Sequence, residues 1–135
     1  AVLYDSSNGG LADLCIMSVG AIAEEALKAA ERLTQSGAKV RVFNARFIKP
    51  IDESGILQNA RNAKCVITVE EAVEFGGFGE RAVLVCRKNH IDTKIKVIAL
   101  PDEALPHGKI TQIQHRYGLD ADGIVAAYGE IKDET

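Results

Sequence analysis

Three glycines in four residues, Gly76, Gly77 and Gly79, follow an apolar run and two adjacent carboxylates in "VITVEEAVEFGGFGERAVLV". Gly77-Phe78-Gly79-Glu80-Arg81-Ala82 satisfies the alanine-ended dinucleotide fingerprint, G-x-G-x-x-A. That chemistry needs glycines directly after a strand, so that backbone N–H groups reach a pyrophosphate at a helix N-terminus. Here six residues separate Val69 from Gly76, and Glu70, Glu71 and Glu74 stand in the gap. Three carboxylates repel a diphosphate unless a metal intervenes. The spacing therefore favours a structural turn, with a positive φ expected within Gly76-Gly77.

Glu70 and Glu71 also read as an acid/base pair, but adjacent residues leaving a strand point to opposite sides. One faces a crevice at most, and the other caps a helix or makes a salt bridge. Arg46 and Lys49, in "NARFIKPID", fall in the preceding βα loop. Two cations near two carboxylates predict an electrostatic tie between adjacent loops. His107, in "LPHG", is the histidine placed on a loop at the same edge, and a loop-fixing hydrogen bond is its expected role. His90, His107 and His115 fall in three separate segments, and no cysteine or histidine pair has metal-ligand spacing. No G-x-S-x-G elbow precedes a helix, so Ser18 is expected to be a satisfied hydroxyl.

The elements that position these loops follow a repeated grammar. Leu14 to Val19 is a short apolar run closed by Gly20. Ile22, Ala23, Ala26, Leu27, Ala30 and Leu33 then mark one face of a helix, with Gly37 as its stop. Glu24 and Lys28 on its other face are spaced for an i,i+4 pair. Residues 39–43 alternate as a strand, and Pro50 and Asp52 introduce a helix over 53–63. Residues 64–69 form a β-branched run of the kind buried on both faces of a parallel sheet. Helix over 79–89, strand over 94–100, and helical patterns over 109–117 and 120–131 complete the chain. Residues 2–4 are a candidate edge strand. Strands alternating with long helical segments imply an α/β fold: a three-layer, open, mostly parallel five-stranded sheet with helices on both faces and room for one antiparallel edge strand. Such sheets bind ligands beyond the carboxyl ends of their strands.

At 135 residues with 47% hydrophobic and 26% charged residues, the chain is expected to form a single domain over 1–135. A net charge of −3 excludes a purely electrostatic nucleic-acid binder. The apolar runs are too short to cross a bilayer, and no basic-then-apolar leader is visible. The chain starts at Ala1 rather than Met, as a processed or excised end would. Cys15, Cys65 and Cys86 are odd in number and embedded in apolar runs, which predicts buried free thiols and a cytoplasmic or organelle-matrix setting.

"SVGAIAEEALKAAERL", "RFIKPID", "VITVEEAVEFGGFGE", "LPDEALPHG" and "YGLDADGIVAA" occur in that order over residues 13–127. The ordered set resembles the carboxyl-terminal domain of the transketolase superfamily, and the last two blocks are most similar to its 1-deoxy-D-xylulose-5-phosphate synthase family. Asn44 departs from the pattern, standing where many relatives carry an acid. The resemblance implies a fragment of a longer three-domain enzyme that condenses pyruvate with glyceraldehyde 3-phosphate, releasing carbon dioxide, for isoprenoid and thiamine synthesis. It implies thiamine diphosphate and Mg²⁺ in the full-length enzyme, held by the other two domains, with neither expected on this chain. The metal-binding G-D-G of those domains has no counterpart: Asp122-Gly123 follows Ala121. The implied partners are the amino-terminal and central domains and, at full length, a second copy of the chain. Nucleic acid and membrane are not implied. Arg46, Lys49, Glu70, Glu71, Gly76, Gly77, Gly79 and His107 then become candidates for an interface or loop tie, not for catalysis. The matching domain of a transketolase or of a 2-oxoacid dehydrogenase beta subunit, and a free-standing anion-binding module, are the alternatives.

Overall fold

A computed structural model describes residues 2–45, 53–70, 77–99 and 118–132. The strands are β1 (Val2–Asp5), β2 (Leu14–Val19), β3 (Val40–Asn44), β4 (Cys65–Glu70) and β5 (Lys94–Ala99). The helices are α1 (Ala23–Gln35), α2 (Glu53–Arg61), α3 (Phe78–Lys88) and α4 (Ala121–Ile131). The sheet runs β1-β3-β2-β4-β5; β1 is antiparallel to β3, and the other neighbours are parallel. The edge-strand expectation holds, with β1 one residue longer than the predicted 2–4. The helical pattern at 109–117 lies outside the described residues.

Strand alternation divides the core in two. Leu14 and Ile16 of β2, Val40 and Val42 of β3, and Ile67 and Val69 of β4 pack with α1 and α4. Cys15 and Met17, Phe43 and Val66 point the other way and pack with α2 and α3. All six residues of β4 are buried, as its central place requires. Burying a side chain such as Ile16 or Phe78 contributes roughly 1.5–3 kcal/mol. The two aliphatic layers are thus the main source of stability.

The helix ends show why the elements stop where they do. A 3₁₀ turn, Gly20–Ile22, leads into α1, and Ala26, Ala29, Ala30 and Leu33 bury its inner face. Gly37, at φ +99°, reverses the chain as the Ala38 N–H donates to Leu33 O and the Gly37 N–H to Thr34 O, both at 3.0 Å. This is the six-residue glycine stop. Lys28 pairs with Glu25 at 2.8 Å, one turn position closer than the expected Glu24. Both spacings lie on one helix face, and rotamer reach decides between them.

α4 begins with Asp120 as N-cap, its Oδ1 accepting from the Gly123 N–H at 2.8 Å. A Cβ at Gly123 would stand 2.3 Å from the Gly118 carbonyl oxygen, so only glycine lets the helix start so close to the preceding turn. Arg32 donates to Asp122 Oδ1 at 2.6 Å and the Ala121 N–H to Glu25 Oε1 at 3.2 Å, joining α4 to α1. The Asp122-Gly123 dipeptide therefore serves the helix packing.

Candidate functional site

The carboxyl ends of β2, β3 and β4 bring Ser18, Asn44 and Glu70 to one edge of the sheet, and α3 starts beside them. Glu70 ends β4 in register with Val19 of β2 and Ala99 of β5. Its side chain turns toward α3 and is 7% exposed. Oε2 accepts the Phe78 N–H at 3.0 Å and Oε1 the Gly79 N–H at 3.2 Å. These are among the first donors of a helix, which have no partner inside it. A carboxylate there gains from both hydrogen bonds and the positive end of the helix dipole.

Each glycine of the α3 turn now has its own reason. A Cβ at Gly77 would lie 2.9 Å from Glu70 Oε1, so glycine makes room for the carboxylate. One at Gly79 would lie 2.6 Å from Val97 Cγ1 and 2.7 Å from Thr68 Oγ1, so glycine lets α3 approach β4 and β5. Gly77 has φ −60°, a value open to any residue, and so is not the expected positive-φ position. The Gly76 half of that expectation lies outside the described residues. Positive φ occurs instead at Gly9, Gly20, Gly37 and Gly118, and at Asn8 and His90.

Of the eight candidates, Glu70, Gly77 and Gly79 come together in one contact group. Arg46, Lys49, Glu71, Gly76 and His107 lie outside the described residues, and with them the expected cation–carboxylate tie. Ser18 departs from its reading as a satisfied hydroxyl. Its Oγ is fully buried with no hydrogen-bond partner among the described residues, as is Thr68 Oγ1.

A second polar cluster escaped the sequence reading. Arg41 is buried within β3 on the α2 and α3 side of the sheet. Its Nη2 donates to Gly10 O at 2.6 Å and Ser7 Oγ at 3.0 Å, and its Nη1 to Asn62 O at 3.4 Å. Nε lies 3.7 Å from Asp5 Oδ2. Asp5 in turn accepts from the Ser7 N–H at 2.9 Å, the Ser7 hydroxyl, and the Gly9 N–H at 3.0 Å. Burial raises the Asp5 pKa, but these hydrogen bonds and Arg41 outweigh it and hold the carboxyl below its ordinary range. A polar cleft of about 430 Å³ adjoins the cluster, lined in part by Asp5, Arg41, Gln58 and Asn59. The available signal was a charged residue at an inward position of the alternating strand "KVRVF".

The cysteines offer no nucleophile. All three are free and buried. Burial pushes the Cys15 thiol up to about 12 and Cys65 to about 11, and raises Cys86 as well. The reactive thiolate is scarce at such values. Among the described residues no group of three or more His, Cys, Asp or Glu is placed to hold a metal, and no helix is long and apolar enough to cross a membrane.

The family described as the transketolase C-terminal domain matches residues 9–124, and the chain belongs to it. It is 40% identical over 123 residues to a 1-deoxy-D-xylulose-5-phosphate synthase of Halothermothrix orenii, covering 90% of this chain and 19% of that protein. Against the synthase of Listeria innocua it is 40% identical over 120 residues, covering 88% and 19%. The chain thus spans about a fifth of the curated relatives it matches. In three dimensions it resembles a split-gene transketolase solved as an inactive β4 tetramer, with a TM-score of 0.78 and 27% identity over 87% of this chain and 38% of that one. A 2-oxoglutarate:ferredoxin oxidoreductase from Magnetococcus marinus shares the fold alone, with a TM-score of 0.59 at 22% identity over 92% of this chain and 18% of that one.

Proposed function

We propose that this chain is the carboxyl-terminal domain of a thiamine-diphosphate-dependent 1-deoxy-D-xylulose-5-phosphate synthase, in which it supports domain packing and the dimer and carries no catalytic residue. The carrying observation is the 40% identity to synthases over some nine-tenths of the chain. The complete enzyme would join pyruvate to glyceraldehyde 3-phosphate with loss of carbon dioxide, in the cytoplasm or an organelle matrix.

The described residues do not fit the cofactor or its Mg²⁺. The donors at the start of α3 that suit a phosphate are held by Glu70. Asp122, the acid of the D-G dipeptide, is paired with Arg32. A supporting role for the carboxyl edge fits this chemistry better than cofactor binding does. Arg46, Lys49, Glu70, Glu71, Gly76, Gly77, Gly79 and His107 are its candidate contact or loop-tying residues toward the central domain.

Calorimetric titration of the chain with thiamine diphosphate and Mg²⁺ tests this reading, and no saturable heat is expected. Micromolar binding would overturn it in favour of a free-standing anion-binding module. Likeness to the split-gene transketolase supports a second reading, the equivalent domain of a transketolase. Assay of the full gene product separates the two. Formation of deoxyxylulose phosphate with carbon dioxide is expected, and two-carbon transfer between sugar phosphates would favour the second.

A further inference from the structure

We infer that a cleft at the amino edge of the sheet is a binding site for a small phosphate-bearing dianion. Its position is independent of the reading proposed above, which concerns the opposite, carboxyl edge of the same strands. The cleft has a volume of about 320 Å³ and is lined in part by Asp13, Lys64, Lys94, Tyr128, Ile131 and Lys132. Three chain segments bring the lysines together. Lys64 immediately precedes β4, and Lys94 opens β5 in register with Cys65 of β4. Lys132 is the C-cap of α4, with its Nζ 5.6 Å from the centre of the Tyr128 ring.

The charges decide the sign of the ligand. The whole chain carries −3, yet three lysines and one carboxylate meet among the described residues that line this cleft. Asp13 Oδ1 lies 3.2 Å from Lys64 Nζ, and Asp13 Oδ2 accepts the Lys39 N–H at 2.8 Å. That hydrogen bond and Lys64 hold the Asp13 carboxyl below its ordinary range, against the opposing effect of burial. Three positive charges against one negative leave an excess of two, which a dianion matches. A cleft walled largely by one sign of charge focuses its potential and concentrates the counter-ion.

Geometry narrows the class further. Lysine ammonium groups act as point charges, and they suit an oxyanion whose oxygens face several directions; the arginine fork suits a planar carboxylate. Lysines arriving from three segments therefore fit a tetrahedral phosphate, each on a different oxygen. Tyr128 and Ile131 add an apolar wall, and Lys132 rests toward the aromatic face. Ligand cavities span roughly 300–1,000 Å³, and this cleft lies at the lower end. It takes a phosphate with a short carbon body and is too small to enclose a nucleotide. The Mg²⁺ complex of thiamine diphosphate pairs a cationic thiazolium with a metal-neutralised diphosphate. The lysines do not draw it, so the titration proposed above reads a separate question.

The test titrates the whole chain with inorganic phosphate and with glycerol 3-phosphate, against sodium chloride at equal ionic strength, and follows backbone amides by NMR. Saturable movement of the Lys94, Tyr128 and Lys132 amides is expected with both phosphates and not with chloride. Lys94→Gln and Lys132→Gln should each weaken binding about three- to five-fold, and together about tenfold or more. Lys28→Gln, on α1 outside the cleft, should leave the affinity unchanged. Asp13→Asn should tighten binding, because it removes the opposing charge while its side-chain oxygen can still accept the Lys39 N–H. Movement that fails to saturate or matches chloride would overturn the inference. So would retained affinity in the double lysine variant, an equal loss in Lys28→Gln, or weaker binding by Asp13→Asn.

Discussion

Glu70 and Arg41 are both charged side chains buried beside the same layer of the core, and the fold compensates them differently. Glu70 lies where a strand ends and a helix begins, and among the described residues it is backbone N–H groups that donate to its oxygens. Arg41 lies inside a strand, and its donors go to two backbone carbonyls, a serine hydroxyl and the neighbourhood of Asp5. The helix start brings compensation of its own, through its dipole and the N–H groups that have no partner inside the helix. The strand offers no free backbone groups, so the β1–β2 connection from Asp5 to Gly10 must fold back to supply acceptors. One compensation is built into a secondary element, and the other depends on the antiparallel edge strand being in place.

The comparison breaks most readily at Arg41. Arg41→Ala removes the cation beside Asp5 and one donor each from Gly10 O and Asn62 O, and breaking a buried pair this way costs about 3 kcal/mol. Urea unfolding should show that loss, together with faster hydrogen exchange across β1. Normal protection of β1 would mean that the edge strand holds without the arginine.

On the other side of the comparison, Gly79→Ala drives a methyl into Val97 and Thr68. About 2 kcal/mol of destabilisation is expected from such overpacking. Pairing it with Val97→Ala should return part of the loss as a favourable coupling energy in a double-mutant cycle. Additive costs would show that the approach of α3 to β5 is not what the glycine secures.

Acid sharpens the contrast further. The folded-state pKa of Asp5 lies below the unfolded value of about 3.9, so its contribution is complete above that pH and vanishes as pH falls through the folded value. Asp5→Asn should therefore be less stable than wild type at neutral pH, with the gap closing below about pH 4. A gap of constant size between neutral pH and pH 2.5 would rule out Asp5 as a charged partner.

The smallest effect belongs to the far end of α3. His90 stands at φ +60° in a helix stop, with the Ile91 N–H donating to Cys86 O at 2.9 Å and the His90 N–H to Arg87 O at 3.1 Å. Glycine commonly fills that place, so His90→Gly should stabilise by about 0.5–1 kcal/mol. A lower denaturation midpoint would indicate that the side chain makes a contact that outweighs its backbone strain.

Much of this architecture was legible from periodicity. The face of α1 from Ile22 to Leu33, the apolar run of β4 and the stop at Gly37 each express a local rule that operates within a few residues. Boundaries shifted by only one or two residues: α2 ends at Arg61 rather than 63, and α3 begins at Phe78 rather than 79. Glu70 was legible as a residue of interest, and a cap was among its expected roles. Its partners were not, because they lie eight and nine residues further on, across a crossing whose path is not encoded by periodicity.

Composition and pattern alone determined the class of fold, the free buried cysteines, the family motifs and the likeness of the glycine turn to a phosphate loop. Tertiary structure decided what that turn is for. A glycine in a sequence announces only a missing side chain, which serves equally for a positive φ, a nearby ligand or a close packing contact. At Gly77 the absent Cβ makes room for a carboxylate, and at Gly79 for Val97 and Thr68. Which atoms occupy the space left by a glycine is a property of distant strands brought together, and so it became readable only once β4, β5 and α3 were packed.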